Sequence, residues 1–249
     1  QRDDWWTTAR AAADLESPQA VGRRAGERTL ARLGARQIST RRAPVLFSPM
    51  TAAGLLRSLT SAISGSSLYR RSSFLLDRID TRIFPDFVCI HELPHLPRGL
   101  GSAPYDGDGV ATRAKDLVSE GILRTYLLDA YAARRLGLAT TGNAGGVFNL
   151  HIEPGTLDRA AMLRELGTGL FVTELLGHGT NPVTGDYSRG AAGFWVEGGE
   201  IQFPVEEITI AGNLKEMFLG LVAVGNDCDF PGSTRTGSWL IPGMTLAGD

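Results

Sequence analysis

The chain has 249 residues, 43% hydrophobic and 21% charged, with a formal net charge of −2. That length supports a sizeable buried core in one or two domains. The near-neutral balance argues against generic nucleic-acid binding, and no uncharged apolar run reaches the roughly 18–20 residues of a membrane helix. Two cysteines, Cys89 and Cys228, are too few for a disulfide framework, so reduced thiols in a cytoplasmic protein are expected.

The opening QRDDWWTTARAAADLES carries charges where a signal peptide needs an apolar stretch. A start at Gln1 rather than Met is expected of a processed chain or a piece of a longer one. The first fifty residues are Arg-rich. Residues 18–34 read as an amphipathic helix on Val21, Ala25, Leu30 and Leu33, with Ser17 as N-cap and Pro18 at the first helical position. PVLFS (44–48) reads as a short buried strand. Met50 to about Ser64 reads as a second helix on Ala53, Leu56, Leu59 and Ile63, closed by GSS (65–67).

Residues 85–115 hold Pro85, Pro94, Pro97 and Pro104 with GLGS and YDGDG, a loop-rich stretch of the kind that is usually functional or interfacial. Residues 117–129 read as a hairpin around Ser119-Glu120-Gly121, followed by a helix AYAARRLGL and a glycine-rich turn, TTGNAGG (140–146). The last hundred residues are mostly β. LFVTELLG (170–177) leans to strand, and residues 193–212 give two strands joined at Gly198-Gly199, a type I′ signal. Residues 213–225 read as a helix with Asn213 as N-cap, and 238–248 as a final strand. Strands cluster in hairpins rather than alternating with helices. The expected class is therefore α+β, an antiparallel β-rich C-terminal region with amphipathic helices on it. The expected division is 1–84, holding the helical and mixed part, and 85–249, the β-rich part.

His91-Glu92-Leu93-Pro94-His95 matches H-E-x-x-H. In a zinc peptidase that spacing works on a helix, where both histidines share a face and the glutamate activates metal-bound water. Pro94 sits between the would-be ligands. An interior proline costs a helix about 3 kcal/mol, and Leu93 before it is pushed out of the α region. Residues 91–97 are predicted to be strand and loop, so the motif is set aside. His151 and His178 have no ligand partners at useful spacing. Ser188 lies outside any G-x-S-x-G elbow. No phosphate-binding glycine loop is present. The thiolate of Cys228 is disfavoured between Asp227 and Asp229.

Longer strings carry more. LPHLPRGLGSAPYDGDGVATR (93–113), TGNAGG (141–146), NPVTGDYSRGAAGFWVEGGEIQFPVEEITIAGNL (181–214) and VAVGNDCD (222–229) together strongly resemble the TldD/PmbA family, with the PmbA (TldE) branch closer. The resemblance runs from about Ala20 to the last residue. It implies a missing N-terminal domain and a place in a cytoplasmic heterodimeric metalloprotease taking unfolded peptides. The TldD branch carries zinc on H-E-x-x-x-H in a helix, plus a cysteine near the C-terminus. Laid over that motif, this chain has Arg57 and Ala62 at the histidines, Ser58 at the glutamate and Thr236 at the cysteine. The resemblance thus implies no cofactor in this chain, zinc in a TldD-type catalytic paralogue, and Arg57, Ser58 and Ala62 on one helix beside a cleft.

The favoured expectation is a non-catalytic subunit whose Asp186, Tyr187, Ser188, Arg189, Phe194 and Trp195 touch the partner or an unfolded peptide; Trp and Arg are enriched in interface hot spots. The alternative for Phe194 or Trp195 is simple core packing. The isolated chain could also pair with itself. Neither nucleic acid nor membrane is expected as a partner. Two other readings stay open: an independent zinc peptidase using His91, Glu92 and His95, and a protein-binding modulator of DNA gyrase, a label the family has carried.

Overall fold

The computed structural model describes residues 1–229 and 231–248. Helix α1 (Pro18–Ala31) starts as expected, with Ser17 Oγ accepting from the Ala20 amide at 3.2 Å and Pro18 at the first position. Its apolar spacing misleads, however. No residue of α1 is buried, and Leu30 and Leu33 are 65% and 57% exposed. Arginines instead carry the inward face. Arg24 lies 3.6 Å over the Trp5 ring and Arg28 pairs with Asp3 at 2.9 Å.

Strand β1 (Arg41–Phe47) leads through the Ser48 cap into helix α2 (Pro49–Ala62). The GSS stretch opens a further short helix, α3 (Gly65–Tyr69), because Ser64 caps it. Long loops then frame β2 (Ile90–Glu92), β3 (Lys115–Ser119) and β4 (Ile122–Leu123). The tight turn between the last two sits on Glu120 and Gly121, both at positive φ. Helix α4 (Ala130–Leu136) ends on left-handed Gly137. Strand β5 (Leu150–Ile152) and helix α5 (Arg159–Leu166) have no counterpart in the sequence reading.

Next come β6 (Gly169–Leu176), β7 (Asp186–Glu197) and β8 (Glu200–Asn213). The last two are joined by Gly198 and Gly199 at φ 60° and 81°, as a type I′ hairpin requires. Asn213 caps helix α6 (Leu214–Leu219), but the expected long helix stops there. Residues beyond Gly220 become strand β9 (Ala223–Val224), claimed by pairing with β11 (Trp239–Ala247). Strand β10 (Thr234–Arg235) lies between them in sequence.

Strand β1 runs parallel to β6 and antiparallel to β11, so β1, β6, β7, β8 and β11 close into a barrel, with β9 added beside β11. The second sheet runs β10-β5-β2-β3-β4. Most pairings are antiparallel and the helices pack outside the ladders, the α+β class expected. One large core joins them, from Val45 and Phe47 through Leu55 and Leu59 to Ile90, Trp195 and Trp239. Within it Phe84 stacks on Phe218 at 4.8 Å, and Trp239 meets Phe84 edge-on. Among the described residues no helix is long and apolar enough to cross a membrane.

Candidate functional site

The H-E-x-x-H segment is strand and turn, as Pro94 requires. Alternation along β2 sends His91 and Glu92 to opposite faces. Glu92 is fully buried. It pairs with Lys115 Nζ and accepts from Asn143 Nδ2 and the Phe148 amide, each at 2.8 Å. His91 lies on the other face, with Nδ1 2.7 Å from Asp116 Oδ1 and Nε2 3.1 Å from Glu153 Oε1. His95 is exposed, 3.0 Å from Thr112 Oγ1. The glutamate is a structural anion engaged by three donors, and the two imidazoles serve different partners. His151 sits opposite His91 across the ladder. His178 is exposed, and Cys89 and Cys228 are free thiols.

Helix α2 holds Arg57, Ser58 and Ala62, and beside it lies a cavity of about 560 Å³. Arg57 lines it. Ser58 donates to the Gly54 carbonyl at 3.2 Å, within its own helix. Ala62, five residues past Arg57 and so about 140° around the helix, is 2% exposed and packs in the core. Thr236 is buried in the chain entering β11, donating to the Gly237 carbonyl and accepting from Trp239 Nε1 at 2.8 Å. Only Arg57 of the four positions therefore faces the cavity.

The stretch 186–195 is one strand, and pleating divides its residues. Tyr187 and Trp195 are 3% and 4% exposed and belong to the core. Burial pushes the Tyr187 hydroxyl up to about 12, against the opposing charge of Arg189. That hydroxyl has no hydrogen-bond partner among the described residues. Asp186 and Ser188 are exposed, and Asp186 accepts from Asn213 Nδ2 at 2.9 Å. Hydrogen bonds from Thr184 and Asn213 hold the Asp186 carboxyl below its ordinary range. Arg189 reaches the α2 cavity. Phe194 lines a neighbouring cavity of about 320 Å³ together with Phe171 and Trp5.

The walls opposite α2 and β6 come from the N-terminal segment and α1, through Arg2, Asp3, Trp5, Arg28 and Arg32. Sequence reasoning missed these residues. The arginine density of the first fifty positions was the available signal, but nothing in it says which arginines turn inward.

Residues 40–248 match the family described as PmbA/TldA metallopeptidase C-terminal domain. The metalloprotease PmbA of Escherichia coli O157:H7 is 52% identical over 248 residues, covering 100% of this chain and 55% of that protein. The chain belongs to the PmbA/TldD family. It spans about half the length of the curated relatives it matches. A solved Thermotoga maritima protein, named as a candidate modulator of DNA gyrase, superposes with a TM-score of 0.90 at 34% identity, covering 98% of this chain and 58% of that one. TldE of Thermococcus kodakarensis superposes at 0.78 with 24% identity, covering 92% and 55%, a likeness of fold alone.

The family name implies a metal, and the donors at the motif positions decide whether this chain fits one. Zinc takes imidazole, thiolate or carboxylate. Arginine has no lone pair to give and stays cationic, alanine has no donor, and the Ser58 and Thr236 hydroxyls are committed to backbone carbonyls. These residues do not fit a zinc ion. Among the described residues no group of three or more His, Cys, Asp or Glu is placed to hold a metal.

Proposed function

We propose that this PmbA/TldD-family chain is part of the non-catalytic, PmbA/TldE-type subunit of a cytoplasmic heterodimeric zinc metalloprotease acting on unfolded peptides. In this reading a TldD-type paralogue holds the zinc. This chain completes the fold and walls the substrate cleft, with Arg189 and Phe194 of β7 turned to the cavities and Asp186 and Ser188 on the outer surface. Tyr187 and Trp195 position that strand from within the core. The observation that carries the reading is the donor set Arg57, Ser58, Ala62 and Thr236. Without a Lewis acid nothing lowers the pKa of water from about 15.7 toward 7 or polarises the scissile carbonyl.

The test is peptide hydrolysis by the full-length protein, alone and mixed with its paralogue. Alone it gives no turnover above background, and added zinc does not rescue it. The mixture gives chelator-sensitive proteolysis. Arg57→His, Ser58→Glu and Ala62→His together still give no activity, since Ala62 packs in the core rather than facing the cavity and too few ligands hold zinc weakly. Zinc-dependent turnover by the protein alone, lost on His91→Ala, would overturn the proposal.

A further inference from the structure

The α2 cavity has an unbalanced charge. Among the described residues five arginines line it (2, 28, 32, 57 and 189) against three acids, Asp3, Asp4 and Glu174. Two acids are already spent. Asp3 Oδ1 takes Arg28 Nε and Nη2 at 3.0 and 2.9 Å, and Glu174 takes Arg32 Nη1 at 2.6 Å. Only the exposed Asp4 remains to answer three further guanidinium groups. Arg189 meets the Leu175 and Leu176 carbonyls at 3.4 and 3.5 Å, the long end of hydrogen bonding, and lies beside the neutral Tyr187 hydroxyl, so no anion among the described residues answers it. Arg2 and Arg57 have no side-chain hydrogen bond or ion pair among the described residues. Beside Arg57, α2 presents Gly54, where an added Cβ would meet nothing within 4 Å, so the helix surface there is open to a ligand.

We propose that this cavity binds a peptide carboxylate, taken between Arg57 and Arg189 with Arg2 at the rim. A carboxylate is the anion that fits the planar guanidinium fork two hydrogen bonds at a time. It would also relieve the mutual repulsion of cations gathered in one concavity. Phe194 and Phe171 in the adjoining cavity offer apolar surface for the side chain that precedes the carboxylate. The inference deepens the subunit proposal by giving its cleft a ligand chemistry, and it rests on that proposal only for the ligand being a peptide.

The carboxylate could be a C-terminus or an acidic side chain, and the test separates them. The full chain is titrated into three fluorescein-labelled unstructured peptides of one neutral sequence: free acid, C-terminal amide, and amide with one internal Asp. The free acid or the Asp peptide binds at least about tenfold more tightly than the plain amide, the scale of a charge-assisted hydrogen bond. Whichever of the two wins names the source. Arg57→Gln and Arg189→Gln each remove the difference, while the exposed helical Arg135→Gln leaves it intact. Should a variant fail to fold by circular dichroism, sodium chloride added to the unaltered chain supplies the second measurement, weakening the acidic peptide and sparing the amide. Equal affinity for all three peptides, no binding of any, or an undiminished preference in folded Arg57→Gln and Arg189→Gln would overturn the site. Failure of the subunit proposal reads differently: the mixed complex shows no proteolysis while the carboxylate preference stands.

Discussion

Glu92 shows how a residue's surroundings set its role. Its carboxylate is fully buried and answers Lys115, Asn143 and the Phe148 amide. Removing one partner of a buried pair strands the other charge, at about 3–5 kcal/mol. Glu92→Ala is therefore expected to lower unfolding free energy by that amount in urea titration. His91 and His151 give a second residue-scale prediction. Burial pulls His91 down, but its hydrogen bonds to Asp116 and Glu153 outweigh this and raise its pKa. Its stabilising effect is complete below the ordinary value of about 6.5 and is lost as pH rises through the raised folded value. His151 is lowered by burial and by the charges of His91 and Arg235, so it costs stability as pH falls below about 6.5. The two slopes oppose each other. His91→Gln should leave stability rising with pH across this window, and His151→Gln should leave it falling, both read from urea midpoints against pH.

At the scale of elements, the β6–β7 ladder depends on one bare position. A Cβ on Gly193 would lie 2.0 Å from the Phe171 carbonyl oxygen, so the strands meet there only because glycine has no side chain. On the other side of the strand, the β7–β8 register shifts beside Gly193, between Ala191 and Gly193. Gly193→Ala is expected to cost about 1–3 kcal/mol through forced backbone movement, seen as a lower thermal midpoint. Helix α1 predicts the reverse. Leu30 near its end and Leu33 in the turn that follows face solvent, so Leu30→Ser with Leu33→Ser should change stability by less than about 0.5 kcal/mol. Arg28→Ala should cost more, because Arg28 ties α1 to Asp3 and packs by Trp5.

For the whole molecule, closure of the barrel brings residues 41–47 against 239–246. Trp239 sits at that seam, fully buried, against Phe84 and Phe218 and bonded to Thr236. Trp239→Ala is expected to cost about 3–5 kcal/mol and to lower the urea midpoint of the far-UV circular dichroism transition. The same seam explains why Thr236 is a packing residue here. Its hydroxyl is consumed by the turn that delivers Trp239 to the core.

Local chemistry makes much of this fold legible in the sequence. Ser17-Pro18, Asn213 and Gly198-Gly199 state their caps and turn outright, since each acts through neighbours a few residues away. Pro94 refutes the helix that H-E-x-x-H needs by the same short-range logic. The long family strings carry the kinship, and the expectation that Arg57, Ser58, Ala62 and Thr236 stand at the ligand positions of the family motif rests on the resemblance alone. What stayed hidden depended on distant partners. The apolar spacing of α1 gives no hint that arginines, bridged to Asp3, Glu174 and Asp229, hold it in place. Residues 220–225 continue a helical pattern, yet β11 recruits Ala223 and Val224 as strand. The strand 186–197 alternates as strands do, but which of its faces meets the core was fixed only when β6 and β8 closed around it, burying Trp195, setting Arg189 at the α2 cavity and packing Phe194 half-buried against Phe171. The carboxylate cavity is the extreme case. Arg2, Arg57 and Arg189 lie far apart along the chain and share one concavity only because the N-terminal segment, α2 and β7 pack together, a long-range outcome of core burial that no local pattern encodes.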